Sequence, residues 1–191
     1  MKSLFITGAA CMAVGLAAAG AVQAQTQTQT QPPPVSPAAG VDKLDSADRD
    51  FLEDAAQAGH LEVEGSKLAL EKARATQVKD FAQKMIDDHT KVGVQLDTLA
   101  RSKGYQAPAE PSLVQKAKLQ ALSLRDEGFD KAYADEIGVA AHEDAVELFT
   151  KAAGEAKDPD VKQFATATLE SLKAHLEMAR TLQQAVAPAK P

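Results

Sequence analysis

Apolar residues recur along this chain at the three- and four-residue spacing of one helix face. Phe51, Ala55, Ala58, Gly65 and Ala69 form one such face, while Glu53, Gln57, His60, Glu64, Lys67, Glu71 and Arg74 form a polar stripe opposite it. The spacing predicts a first helix from an N-cap at Asp45 or Ser46 to about Ala75. A second helix, capped by Thr76, carries Val78, Phe81, Met85, Val92, Leu96 and Leu99 inward and runs toward Lys103, where Gly104 stops it. Tyr105–Pro111 holds two prolines and reads as a loop; Ser112 with Gln115 has capping-box spacing and opens a short helix to about Leu124. A third long helix is expected from about Phe129 to Ala156, with Val139, Val146 and Phe149 on its inner face. Asp158 followed by Pro159 marks the start of a fourth, which turns Val161, Phe164, Thr168, Leu172 and Leu182 inward. The fold class expected is all-α: two helical hairpins joined by a long crossover that contains a short helix, making one four-helix bundle. A short internal repeat, Val78-Lys79-Asp80-Phe81-Ala82 against Val161-Lys162-Gln163-Phe164-Ala165, agrees with two related halves.

Composition narrows the choice. Alanine fills 38 of the 191 positions and aromatics are scarce, with no Trp, which disfavours the pleated surfaces of a β-sandwich or barrel. Met1–Ala24 opens with Lys2, passes through a short apolar run and ends on Val22-Gln23-Ala24, the pattern of a cleaved secretory signal peptide. Residues 25–44 are a Gln/Thr/Pro-rich spacer that cannot bury a core, 45–186 are the bundle, and 187–191 are a frayed tail. Export out of the cytoplasm is therefore the expectation. Cleavage removes the one cysteine, Cys11, and Lys2, leaving 20 basic against 27 acidic residues and moving the net charge from −6 to −7. That balance offers nothing to nucleic-acid phosphates, and no transmembrane span is expected in the mature chain. A cysteine-free exported chain has no thiolate ligand, so any metal site must use His and carboxylates.

The four histidines separate by face. His60 lies on the polar stripe of the first helix and reads as solvated, whereas His89, His142 and His175 fall on the inner stripes of the other three long helices. Glu62 is a carboxylate in the middle of the small-residue stripe of the first helix, where an unpaired charge is costly and calls for a partner. At about 1.5 Å per residue, all four inward groups lie roughly 20–25 Å from a bundle end on helices about 42 Å long. The expectation is a Glu62–His89–His142–His175 cluster at mid-bundle, one residue from each helix. Three imidazoles and a carboxylate suit one first-row transition metal, Zn, Cu, Fe or Ni; the same four groups can equally form a metal-free polar layer that fixes helix register. Asp88, Asp135 and Glu143 stand near the histidines and read as solvated helix surface, supports of a site at most. Met85 and Met178 are single gap fillers.

The strings Ala55-Ala56-Gln57-Ala58-Gly59 through Glu62-Val63, Val78–Ala82 with Asp88-His89, Phe129-Asp130 with Tyr133 and His142, and Leu172 with His175-Leu176 resemble the bacterial domain-of-unknown-function 4142 family over about Ser46–Leu182. The resemblance implies a ferritin-like bundle with a signal peptide, in the periplasm or at the outer membrane, and implies no activity. Di-iron members of the ferritin-like plan carry Glu-x-x-His pairs; here Ile86, Val139 and Leu172 stand three residues before the histidines, so a mononuclear site is expected rather than a carboxylate-bridged pair of irons. The leading functional expectation is an exported bundle that holds a metal ion in envelope stress or metal handling. A metal-free structural or interaction module with an envelope partner is the alternative, and a ferritin-like oxidoreductase ranks below both. Nothing in the sequence supplies a nucleophile triad or a phosphate-binding loop.

Overall fold

The computed structural model describes residues 44–188. The expected signal peptide and nearly all of the expected spacer lie outside the described residues, as do 189–191 of the expected tail. Among the described residues the elements are all helical: α1 (Ser46–Lys72), α2 (Thr76–Ser102), α3 (Leu113–Ser123), α4 (Phe129–Tyr133), a π-helical segment (Ala134–Ala140), α5 (Ala141–Glu155) and α6 (Pro159–Ala185). Helix α4, the π segment and α5 are continuous and together make the third long helix. The expected four-helix bundle is the architecture observed: α1 packs on α2 and α5, and α6 packs on α2, the π segment and α5. The crossover leaves the end of α2, where the Lys103 ammonium bonds Asp158 at 2.7 Å, and returns at the other end, where Lys72 donates to the Ser123 carbonyl at 2.7 Å. On the way α3 lies against the outside of α1.

Local signals account for most boundaries. Asp45 caps α1 by accepting from the Ala47 amide, Ser112 and Gln115 form the reciprocal capping box of α3, and Asp158 accepts from the Asp160 and Val161 amides with Pro159 at the first position of α6. Gly104 takes a φ of 70° just past α2, as a helix-stopping glycine does. The start of α2 departs from expectation. Thr76 is not its cap; Ala75 occupies that position without a capping side chain. The free amides of Arg74 and Ala75 donate to the Asp130 carboxylate at 3.0 and 2.8 Å, a cap supplied from α4. Asp48, 2% exposed, does the same at the opposite end, accepting from the Lys157 and Asp158 amides at 3.1 and 2.7 Å. Each hairpin turn is thus closed by an aspartate from the first turns of the other hairpin.

The apolar core is in two parts. One gathers Val78, Phe81, Met85, Phe129, Tyr133, Ile137 and Leu182; the other gathers Phe51, Leu52, Leu96, Phe149, Val161 and Leu172, with the Phe51 and Phe149 rings 5.0 Å apart edge to face. Met85 is fully buried and Met178 packs against the same cluster, as gap fillers would. Between the two parts lies a buried polar layer.

Candidate metal centre

Glu62, His89, His142 and His175 make up that layer, each 5% exposed or less. The structure brings all four expected residues together at mid-bundle. One ring nitrogen from each of the three histidines lies within 4.8 Å of those of the other two, and the ring centroids are 5.2 to 5.7 Å apart.

Hydrogen bonds settle which nitrogens face one another. The His89 Nδ1–H donates to Glu62 Oε2 at 2.9 Å. The His142 Nδ1–H donates to the Ile137 carbonyl at 3.1 Å, and the His175 Nε2–H donates to Asp88 Oδ2 at 3.0 Å. Each imidazole therefore spends one nitrogen on a protein acceptor and turns the other toward the cluster: Nε2 of His89, Nε2 of His142 and Nδ1 of His175. The two Nε2 atoms are 3.3 Å apart, within hydrogen-bond distance. The Nδ1 of His175 is buried with no partner, as is Glu62 Oε1, which stops 3.6 Å from His142 Nδ1.

Charge follows from these contacts. Burial alone would push the Glu62 carboxyl up, but the imidazoles of His89 and His142 outweigh it and hold the carboxyl below its usual range. Burial would likewise lower His89, yet the Glu62 charge and hydrogen bond outweigh it and raise it above its usual range. His175 is driven down to about 4, first by burial and then by the neighbouring imidazoles, and stays neutral. Asp88 is held low mainly by the Lys84 ammonium, 2.8 Å from its carboxylate.

The Ile137 carbonyl owes its freedom to the π segment. There the Ala141 amide bonds the Glu136 carbonyl five residues back, and the return to four-residue bonding leaves one carbonyl over, which the His142 ring takes. Behind the layer the Tyr133 hydroxyl and Ser66 hydroxyl are 2.8 Å apart and both fully buried; burial pushes the Tyr133 phenol up, keeping it neutral.

Several positions differ from expectation. Asp88 is not merely solvated surface, because it orients His175. Asp135 and Glu143 do sit outside the cluster, the first bonding Lys131 and Gln183 and the second Arg180. His60 is half-buried rather than solvated: the crossover folds over it, and its Nε2–H donates to the Pro108 carbonyl at 3.2 Å. The Ile137 carbonyl and the Ser66–Tyr133 pair were missed; a serine and a tyrosine at inward helix positions were the only trace of the pair in the sequence.

Residues 33–182 match the family described as Domain of unknown function (DUF4142). No curated protein matches the chain. Two solved structures share the fold. One is titled "Crystal structure of DUF305 fragment from Deinococcus radiodurans", 15% identical, with a TM-score of 0.63, covering 75% of this chain and 97% of that one. The other is titled "CopM in the Cu(I)-bound form", 19% identical, with a TM-score of 0.62, covering 72% of this chain and 96% of that one.

Proposed function

The chain belongs to the DUF4142 family, and from that premise and the buried layer we propose that it is a metal-handling bundle holding one first-row transition-metal ion on His89 Nε2, His142 Nε2 and His175 Nδ1. The observation that carries the reading is the buried, partnerless Nδ1 of His175, within a cluster whose other two members already have their second nitrogens engaged. An unsatisfied buried acceptor costs stability and calls for an occupant. The supports are those that metal-binding imidazoles use, a carboxylate on His89, a carbonyl on His142 and a carboxylate on His175, which fix tautomer and ring orientation. Two nitrogens 3.3 Å apart subtend about 107° at an ion about 2.05 Å from each, close to the tetrahedral angle. The carboxylates of Glu62 and Asp88 offset the charge of a divalent ion without ligating it. In this reading Glu62 moves from ligand to support.

Imidazole donors suit Zn, Cu, Fe and Ni, and among the divalent ions Cu(II) forms the strongest complexes. The neighbour solved in a Cu(I)-bound form supports a trial of copper first. An ion needs the ligating nitrogens free of protons, and the Glu62 carboxylate favours protonated His89, so uptake weakens as pH falls. The sequence expectation of a signal peptide extends the proposal to the periplasm, and no helix among the described residues is long and apolar enough to cross a membrane.

The test is metal analysis of the exported protein beside a His89→Ala/His142→Ala double variant. About one ion per chain is expected in the native protein and none in the variant; the same trace amount in both would sink the proposal. A metal-free packing layer is the second reading, favoured by the His89 and His142 Nε2 atoms, which already lie within hydrogen-bond distance of each other. It predicts equal melting with chelator and with added metal, whereas an ion bound only by the folded state raises the midpoint.

A further inference from the structure

One member of the cluster meets a cavity. A cleft of about 590 Å³ opens between α1, α2 and the first residues of the crossover, and His89 lines it, while Glu62, His142 and His175 do not. Gly59 and Val63 form one wall, Gly93 and Asp97 the other, and Gln106–Ala109 the rim. A glycine inside a helix weakens it, yet neither of these takes a positive φ, and a Cβ at either would meet nothing within 4 Å. What these two glycines contribute is open space above His89.

His60 stands at the rim and lines this cleft. Because a carbonyl only accepts, its bond to Pro108 fixes the proton on Nε2 and leaves Nδ1 with a lone pair. The Glu64 and Asp97 carboxylates line the same cleft, each paired with a cation that also lines it, Lys67 at 2.7 Å and Arg101 at 2.8 Å. The other approach to the cluster is the α2–α6 seam at Asp88, whose side chain is 29% exposed; there the Lys84 and Lys91 ammonium groups, 2.8 and 3.7 Å from the carboxylate, oppose an incoming cation.

We propose that the α1–α2 cleft is the route by which a transition-metal ion reaches the three-histidine cluster, with His60 as the outer ligand that takes the ion from solvent and His89 as the residue that receives it. This rests on the metal-binding reading above. The probe is Co(II), whose visible bands report binding directly, added to the full chain in stopped flow and in equilibrium titration. Filling the cleft with Gly59→Leu/Gly93→Leu is expected to slow association at least tenfold and dissociation by the same factor, leaving Kd within twofold. Gly93→Leu alone serves should the double variant not fold. His60→Ala is expected to slow association three- to tenfold at unchanged Kd, and Lys84→Gln to leave the association rate within twofold. Native-rate loading of the filled variant would overturn the route while leaving the metal site standing. Unchanged loading of His60→Ala would remove its role as outer ligand. A native chain that takes up no Co(II) at equilibrium would overturn both the route and the site.

Discussion

Replacing Glu62 with Gln separates support from ligation. The amide fills the same space and its Oε1 can still accept the His89 Nδ1–H, now bonded at 2.9 Å, so ring orientation is kept while the charge is removed. In the metal-free protein the raised affinity of His89 for its second proton comes mainly from this carboxylate. Opposite charges about 4 Å apart attract by about 4 kcal/mol at an effective dielectric constant of 20. Keeping a carboxylate in a place 2% exposed returns several kcal/mol of that. The net loss of metal-free stability is therefore expected at about 1–2 kcal/mol. For metal binding, loss of a supporting carboxylate weakens affinity about 10–100-fold, which is about 1.4–2.7 kcal/mol. Competition against a chromophoric chelator at pH 7 measures it, with His142→Ala as the standard for a lost ligand. Two results would refute the reasoning. Affinity within twofold of native would mean that the charge does nothing for the site, and a loss as complete as that of His142→Ala would make Glu62 a ligand.

Three further outcomes follow from the geometry. His175, held at about 4 in the folded protein, refuses a proton that the unfolded chain takes up near 6.5; chelator-treated protein should lose up to about 2–3 kcal/mol as pH falls from 6.5 toward 4, after allowance for solvent screening. His89, raised, works in the opposite sense, and its contribution is lost as pH rises through its folded pKa. Melting across pH 4–8 reads both limbs, and a flat acid limb contradicts the first. Gly65→Ala should cost about 1–3 kcal/mol, because a Cβ there would sit 2.9 Å from Ile137 Cγ1; urea unfolding measures it, and a neutral result would show that Ile137 has room to move. Asp48→Ala and Asp130→Ala each strip the acceptor from two turn amides and should cost about 1–3 kcal/mol apiece, with the larger loss at the more buried Asp48; thermal melts that match native for both would show water replacing the carboxylates.

Groups whose partners are near in sequence were legible in it. Ser112 with Gln115, Asp158 with Pro159, and Gly104 each act within a few residues, and the structure uses all three as expected. The inward direction of Glu62, His89, His142 and His175 was legible for a related reason: helical spacing gives a residue's face without knowledge of what it meets. What failed depended on a distant partner. Thr76 was credited with a cap that Asp130 provides from the other hairpin, and His60 was assigned to solvent because nothing local says that the crossover will cover it. Asp88 shows the limit of a helical wheel. Its backbone position is at the edge of the buried face, and its side chain reaches the seam where His175 arrives from α6.

The third long helix shows why the rest was hidden. A strict 3.6-residue pattern traced back from His142 puts Asp135, one heptad earlier, on the same face. In the structure the buried positions of this helix before His142 are Phe129, Ala132, Tyr133, Ala134, Ile137, Gly138 and Ala141, while Asp135 turns to Lys131 and Gln183. The π segment inserts one residue and rotates the upstream half relative to the downstream half, and no proline marks the place. Such an insertion gives up regular hydrogen bonding, so it needs a compensating contact. Two are present. The spare carbonyl of Ile137 fixes the His142 tautomer, and the Ile137 side chain fills the space that Gly65 leaves on α1, three residues from Glu62. The irregular turn, the glycine and the two site residues therefore depend on one another. A regular α-helix here would return the Ile137 carbonyl to the main-chain ladder and leave His142 without the acceptor that directs its Nε2 at the cluster. The place where the periodicity of the sequence misleads is thus the place where the fold orients a ligand.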